Sequence, residues 1–63
     1  MKKKILLIAG GYSKERDISL QTAKSVYLEL KKNKKYNLKT IEPDGNFVKK
    51  LRLFKPDVVI ILL

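Results

Sequence analysis

Two apolar runs, ILLIA at 5–9 and VVIILL at 58–63, constrain this chain more than anything else in it. Neither alternates polar with apolar residues. Each therefore suits a strand covered on both faces, not one with a wet side. The second run is β-branched in its first four residues, which favours strand over helix. Strands of that kind need helices above and below them, and the cover has to come from the residues between. At 63 residues the chain is one domain at most. A chain near this size buries only about 60% of its unfolded surface, so its stability is marginal.

The intervening residues supply the cover. From Asp17 to about Asn33, Leu20, Ala23, Val26, Tyr27 and Leu30 recur at helical spacing, while Lys24, Glu29, Lys31 and Lys32 mostly fall elsewhere. Ser13, Asp17 and Ser19 are all N-cap candidates, and Asn33 is a stop signal. YNLKTI, with Tyr36, Leu38 and Ile41, reads as a second strand closed by Pro43-Asp44-Gly45. Phe47, Leu51 and Phe54 share one face of a short second helix, with Val48 beside them, and Lys55-Pro56-Asp57 breaks it. The order is β-α-β-α-β. Strands alternating with helices imply a parallel sheet, with right-handed crossovers in about 98% of cases. The expected fold class is α/β, a Rossmann-like parallel sheet with strand one between strands two and three. Ile5, Leu7, Leu20, Val26, Leu30, Leu38, Val59 and Ile61 are expected to share one core.

Composition narrows the function. There is no Cys and no His, so no disulfide framework and no Cys/His metal site can form. Neither apolar run approaches the roughly 20 residues a membrane-spanning helix needs, so no membrane partner is expected. Lys2, Lys3 and Lys4 before ILLIAGG imitate a secretory leader, but the charged SKERD stands where a small-residue cleavage site belongs. The net charge of +9 raises nucleic-acid binding as a rival reading. Much of that charge lies at KKNKK, 31–35, near the end of the first helix, where cations meet the helix dipole favourably. The other lysines show no interleaving with aromatic residues, so no nucleic-acid partner is expected.

Parallel topology places the ends of all three strands on one side, where open α/β sheets bind their ligands. The segment GGYSKERDISL, 10–20, leaves the first strand on that side and is loaded with opposed charges. It lacks the spaced glycines of a dinucleotide site and the lysine-hydroxyl pair of a P-loop. Glu15 and Asp17 would also repel a phosphate. The plain structural account is that Gly10 and Gly11 allow unusual backbone angles while the acids favour a helix N-terminus. The functional account is a site for a small cationic or zwitterionic ligand. There Glu15 and Ser19, one helical turn apart, would accept hydrogen bonds from an ammonium group above the Gly-Gly turn.

The segment KKILLIAGGYSKERDISLQTAKSVYLEL resembles the opening of bacterial D-alanine–D-alanine ligases, whose signature runs G-G-x-S-x-E-R-x-[VI]-S-L. Gly10, Gly11, Ser13, Glu15, Arg16, Ile18, Ser19 and Leu20 match in place, eight positions within eleven residues. IEPDG and KPDVVIILL resemble that family's second and third strand regions, so the likeness covers essentially the whole chain. Thr22-Ala23 departs from the Ser-Gly often found there, which bears on how closely the helix approaches its neighbours. Tyr12 falls at a variable position and receives no role.

The resemblance implies a pre-ATP-grasp domain, residues 1–63 forming the partial N-terminal unit of a cytoplasmic, ATP-dependent ligase serving peptidoglycan synthesis. In that family one D-alanine carboxylate becomes an acyl phosphate, which the amine of a second D-alanine attacks. Glu15 is then the catalytic carboxylate that helps hold the ammonium of the first D-alanine, together with a serine and a tyrosine from later domains. Ser19, Gly10 and Gly11 complete the substrate-binding set in this chain, and Arg16 is structural, pairing with nearby carboxylates or carbonyls. ATP and magnesium belong to regions outside the chain, and the parent could form a homodimer. The chain is expected to be a fragment that is inactive alone, marginally stable or self-associating, and continued by a His-Gly loop. A stand-alone Rossmann-like binding module and a basic nucleic-acid binder are the alternatives from other classes.

Overall fold

The computed structural model of the protein describes residues 2–11 and 14–62. Its elements follow the expected order: β1 (Lys3–Ile8), α1 (Arg16–Lys31), β2 (Tyr36–Ile41), α2 (Phe47–Phe54) and β3 (Val58–Ile61). They form a three-stranded parallel sheet in the order β2-β1-β3. Strand β1 is therefore central, as its unbroken apolar run requires. Leu6, Leu7 and Ala9 are fully buried, and Ile5 and Ile8 nearly so.

The core is two layers, where the sequence pattern suggested one. In β1, Leu6 and Ile8 face α2, packing with Ile41 and with Phe47, Leu51 and Phe54. Alternation turns Ile5, Leu7 and Ala9 to the opposite face, beneath α1, where Ala23 is buried. The register pairs Val59 with Leu6 and Ile61 with Ile8. Both residues thus lie on the α2 side, 40% and 66% exposed, and not with Ile5 and Leu7 as expected. Leu38, opposite Ile5, does lie on the α1 side. Helical spacing identified the right stripe on each helix. It could not say which strand residues each stripe would meet.

Polar contacts fix where the elements start and stop. The first helix begins one residue before Asp17, with Glu15 at the N-cap position and no side-chain cap. Asp17 and Ser19 are inside the helix, which corrects two of the three cap candidates, and Ser13 lies outside the described residues. The helix ends at Lys31 with Lys32 as its C-cap, and the Asn33 side chain that follows accepts from the Lys35 N–H at 2.9 Å and so favours a turn. Lys55 takes the left-handed conformation after α2 (φ 52°). Asp57 then docks β3 on β1 through a reciprocal pair. Its carboxylate accepts the Lys4 N–H at 2.8 Å, and its own N–H donates to the Lys4 carbonyl at 2.8 Å. The third strand spans Val58–Ile61, shorter than the apolar run, whose Leu63 lies outside the described residues. Lys4 and Lys39 extend over the Phe54 ring at 5.9 and 5.8 Å, spending charged side chains on cover for an aromatic edge.

Before α2, Asp44 organises the turn. Its carboxylate accepts the Asn46 N–H at 2.8 Å and lies 3.3 Å from the Lys50 ammonium. The backbone hydrogen bond from Asn46, then the lysine, hold its pKa below the usual aspartate value.

Two outcomes follow from this packing. Leu6→Ala removes a fully buried side chain between the sheet and α2, a change that costs about 2–5 kcal/mol in well-packed cores. The unfolding midpoint in urea should fall accordingly, and a shift worth under about 1 kcal/mol would contradict the central placement of β1. The second outcome concerns acid. A carboxylate with a depressed folded pKa contributes stability that is complete above its unfolded value of about 3.9. That stability is lost as pH falls through the folded value. Asp44→Asn should therefore flatten the acid limb of a stability-versus-pH curve. Identical acid limbs for the two proteins would show that the turn does not depend on the ionised group.

Candidate functional site

The carboxyl ends of all three strands converge on the first turn of α1. Beyond β1 the backbone passes through Gly10 and Gly11 at φ 89° and 92°, a region that L side chains rarely adopt, so two glycines are needed to make the turn. The Gly10 N–H donates to the Ser19 hydroxyl at 2.9 Å. That hydroxyl in turn donates to the Leu62 carbonyl just past β3. Ser19 is 8% exposed, the sole buried polar residue among those described. It ties the ends of β1 and β3 to the helix.

The end of β2 is tied separately. Glu42 follows Ile41 directly, and its carboxylate meets the Arg16 guanidinium at 2.7 Å. The same carboxylate lies over the Cα of Gly10, where a Cβ would overlap it. Gly10 is thus a glycine for a second reason, since any side chain there would displace Glu42. The expectation that Arg16 pairs with a nearby carboxylate holds, and Glu42 is its partner.

Around this knot lies a pocket of about 280 Å³ lined by Glu15, Ile18, Ser19, Thr22 and Leu62. Glu15 and Ser19 are one turn apart, the Ser19 N–H donating to the Glu15 carbonyl at 2.9 Å. The pocket is at the β1/β3 side of the sheet. With the order β2-β1-β3, the chain reverses direction across the sheet there, and doubly wound folds place their ligands at such a switch point. Glu15 is the one acidic residue among those that line the pocket. The Ser19 hydroxyl donates its proton to Leu62 and uses one lone pair on Gly10, which leaves one acceptor position. The Thr22 hydroxyl is turned back to the Ile18 carbonyl at 2.9 Å.

The structure brings Glu15 and Ser19 to one pocket, with Gly10 behind Ser19 and Gly11 next along the turn. Tyr12 and Ser13 lie outside the described residues. Sequence reasoning missed Glu42 and Leu62. A lone acid one residue past a strand end, facing an arginine at a helix start on the same side of a parallel sheet, was the available signal for Glu42. Leu62 acts through its backbone, so its residue type carried no signal. Among the described residues no group of three or more His, Cys, Asp or Glu could hold a metal, and no helix is long and apolar enough to cross a membrane.

Among the described residues, these features define a small α/β unit with a three-strand parallel sheet, two helices and a pocket lined by Glu15 and Ser19 at its switch point. Over 59 residues, 94% of this chain, it is 54% identical to the D-alanine–D-alanine ligase of Pelagibacter ubique, of which it spans 19% of the length. The likeness drawn from the G-G-x-S-x-E-R motif therefore extends through the second helix and the strands. No protein-family model and no solved structure matches the chain.

Ser19→Ala would strand the Gly10 N–H and the Leu62 carbonyl, and a buried polar group left without a partner costs about 1–3 kcal/mol. Denaturant unfolding should register a loss of that order. A variant as stable as the parent would mean the strand ends are held by something other than this hydroxyl.

Proposed function

We propose that this chain is the N-terminal, pre-ATP-grasp segment of an ATP-dependent D-alanine–D-alanine ligase, a cytoplasmic enzyme of peptidoglycan synthesis. The observation that carries the reading is the pocket in which Glu15 and Ser19 stand together at the switch point. The 54% identity to a ligase carrying that name supports it. Glu15 binds the ammonium group of the first D-alanine, and the Ser19 hydroxyl offers a further acceptor beside it. Gly10 and Gly11 make the turn behind Ser19, and the Gly10 N–H holds the Ser19 hydroxyl in place. Holding that ammonium fixes the amino acid's orientation, and with it the direction in which its carboxylate is presented for activation.

The residues here do not fit ATP or magnesium. The turn lacks P-loop spacing, and its carboxylates oppose a triphosphate. Activation of the carboxylate is assigned to other parts of the enzyme, and no step through the nucleotide is derived from this segment. Its own contribution is to bind and orient one substrate.

In the intact enzyme, Glu15→Gln should weaken use of the first D-alanine and leave ATP affinity nearly unchanged. A charge-assisted hydrogen bond contributes about 1.5–3 kcal/mol, or about ten- to a hundred-fold in that step. Steady-state kinetics with each substrate varied in turn make the test, and an unaltered D-alanine dependence would remove Glu15 from the site.

A further inference from the structure

We infer that the end of the sheet opposite the Glu15 pocket carries a second site, one that takes a small, multiply charged phosphate compound such as pyrophosphate. The amino ends of β1 and β2 lie side by side there, with Lys3 paired to Tyr36. A pocket of about 360 Å³ opens at that end, a size in the range of small-molecule sites. Lys2, Lys31 and Lys34 line it together with Tyr27, Tyr36 and Asn33. In sequence these residues are scattered over the start of the chain, α1 and the turn into β2. The fold gathers them.

The chemistry of that lining is one-sided. No Asp or Glu is part of it. Between Glu29 and Glu42 the chain holds five lysines and no acid, so nothing local offsets the charge. Glu29 pairs with Lys32 at 3.0 Å, and Lys32 does not line the pocket. Among the described residues Lys2, Lys31 and Lys34 enter no ion pair. The Asn33 Oδ1 already accepts from the Lys35 N–H, which leaves its NH2 group to donate. Backbone bonds hold the turn itself: the Tyr36 N–H donates to the Asn33 carbonyl at 3.2 Å, and the Lys3 N–H to the Lys35 carbonyl at 2.8 Å.

The helix dipole accounts for Lys31, in the last turn of α1. It does not account for Lys2, which comes from the start of the chain, or for Lys34 beyond the helix end. Three ammonium groups around one pocket call for an anion with more than one charge, and lysine binds phosphate as a point charge. A nucleic-acid strand would need the basic surface to run on as a groove. Here Lys4 and Lys39, further along β1 and β2, extend over the Phe54 ring instead, so the charge stays local.

The test titrates inorganic pyrophosphate calorimetrically into the full-length protein that carries this segment. The pocket variant is the triple Lys2→Gln, Lys31→Gln, Lys34→Gln. Its control is the triple Lys24→Gln, Lys49→Gln, Arg52→Gln, which removes the same charge elsewhere. Sites in other parts of the protein bind equally in all three proteins, so the difference isolates this pocket. The pocket variant should lose one bound pyrophosphate per chain, its affinity there falling about ten-fold or more, while the control stays within about two-fold of the parent. Tyr36→Phe keeps every charge and should weaken binding about two- to five-fold. Should the triple variant fail to fold, Lys31→Gln and Lys34→Gln singly should each cost about two- to five-fold. Equal isotherms for the parent and the pocket variants would overturn the site. An equal loss in the control would reduce it to general attraction and overturn it too. A single-stranded oligonucleotide or phosphatidylglycerol vesicles that bind over about ten-fold tighter than pyrophosphate, and are released by the pocket variant, would replace the small ligand with a macromolecule or a membrane surface.

Discussion

One buried hydroxyl holds the business end of this molecule together. Ser19 accepts from the Gly10 N–H and donates to the Leu62 carbonyl, so two strand ends and a helix meet at a single oxygen. A parallel sheet leaves its strand ends as open backbone on one side, and groups buried there need partners. Serine is suited to the place because its hydroxyl donates once and accepts twice. Alanine would satisfy neither neighbour, and a larger side chain would push the helix off the sheet at the point where Ala23, one turn further along, is already buried. The close approach of α1 is therefore a condition for the pocket.

The second constraint is the burial of β1 on both faces. A strand with Leu6 and Leu7 both fully buried has no face left for water. It must be central, and helices must cover it from above and below. The order β2-β1-β3 meets that demand with the smallest number of elements, and it also creates the switch point. Position of the site and burial of the first strand are thus one consequence of the same topology. The cost is carried by the outer strand: Val58, Val59 and Ile61 are 38%, 40% and 66% exposed, an apolar edge of the kind that invites pairing.

The elements themselves were legible in the sequence because their signals are local. Apolar runs, helical spacing, and breakers at Asn33, Pro43-Asp44-Gly45 and Pro56-Asp57 bracket all five. The Gly pair announced its positive φ angles, and the crossover rule placed β1 between its neighbours. What escaped was whatever depends on register between distant segments. Val59 and Ile61 were grouped with Ile5 and Leu7, yet Ile5 is opposite Val58, and one residue of offset moves a side chain to the other face. The helix start escaped for a related reason. A serine or aspartate near a helix start is ordinarily read as a cap, but Ser19 is committed to the ends of β1 and β3, which no local pattern reveals. Of the site, the motif supplied Glu15 and Ser19 as a pair; it gave no hint that the serine is chiefly a structural tie with one acceptor position remaining.

The opposed charges of the turn now divide by task. Arg16 goes to Glu42 across the β2 end, and Asp17 stands in the first helical turn, where an acid meets the positive end of the helix dipole. Glu15 is the acid of the cluster that lines the pocket. If it existed to bind phosphate, the carboxylate at the pocket mouth would be an obstacle. On the proposed function, the carboxylate of Glu15, at the carboxyl ends of the strands and in one pocket with the Ser19 hydroxyl, receives the ammonium group of an amino acid.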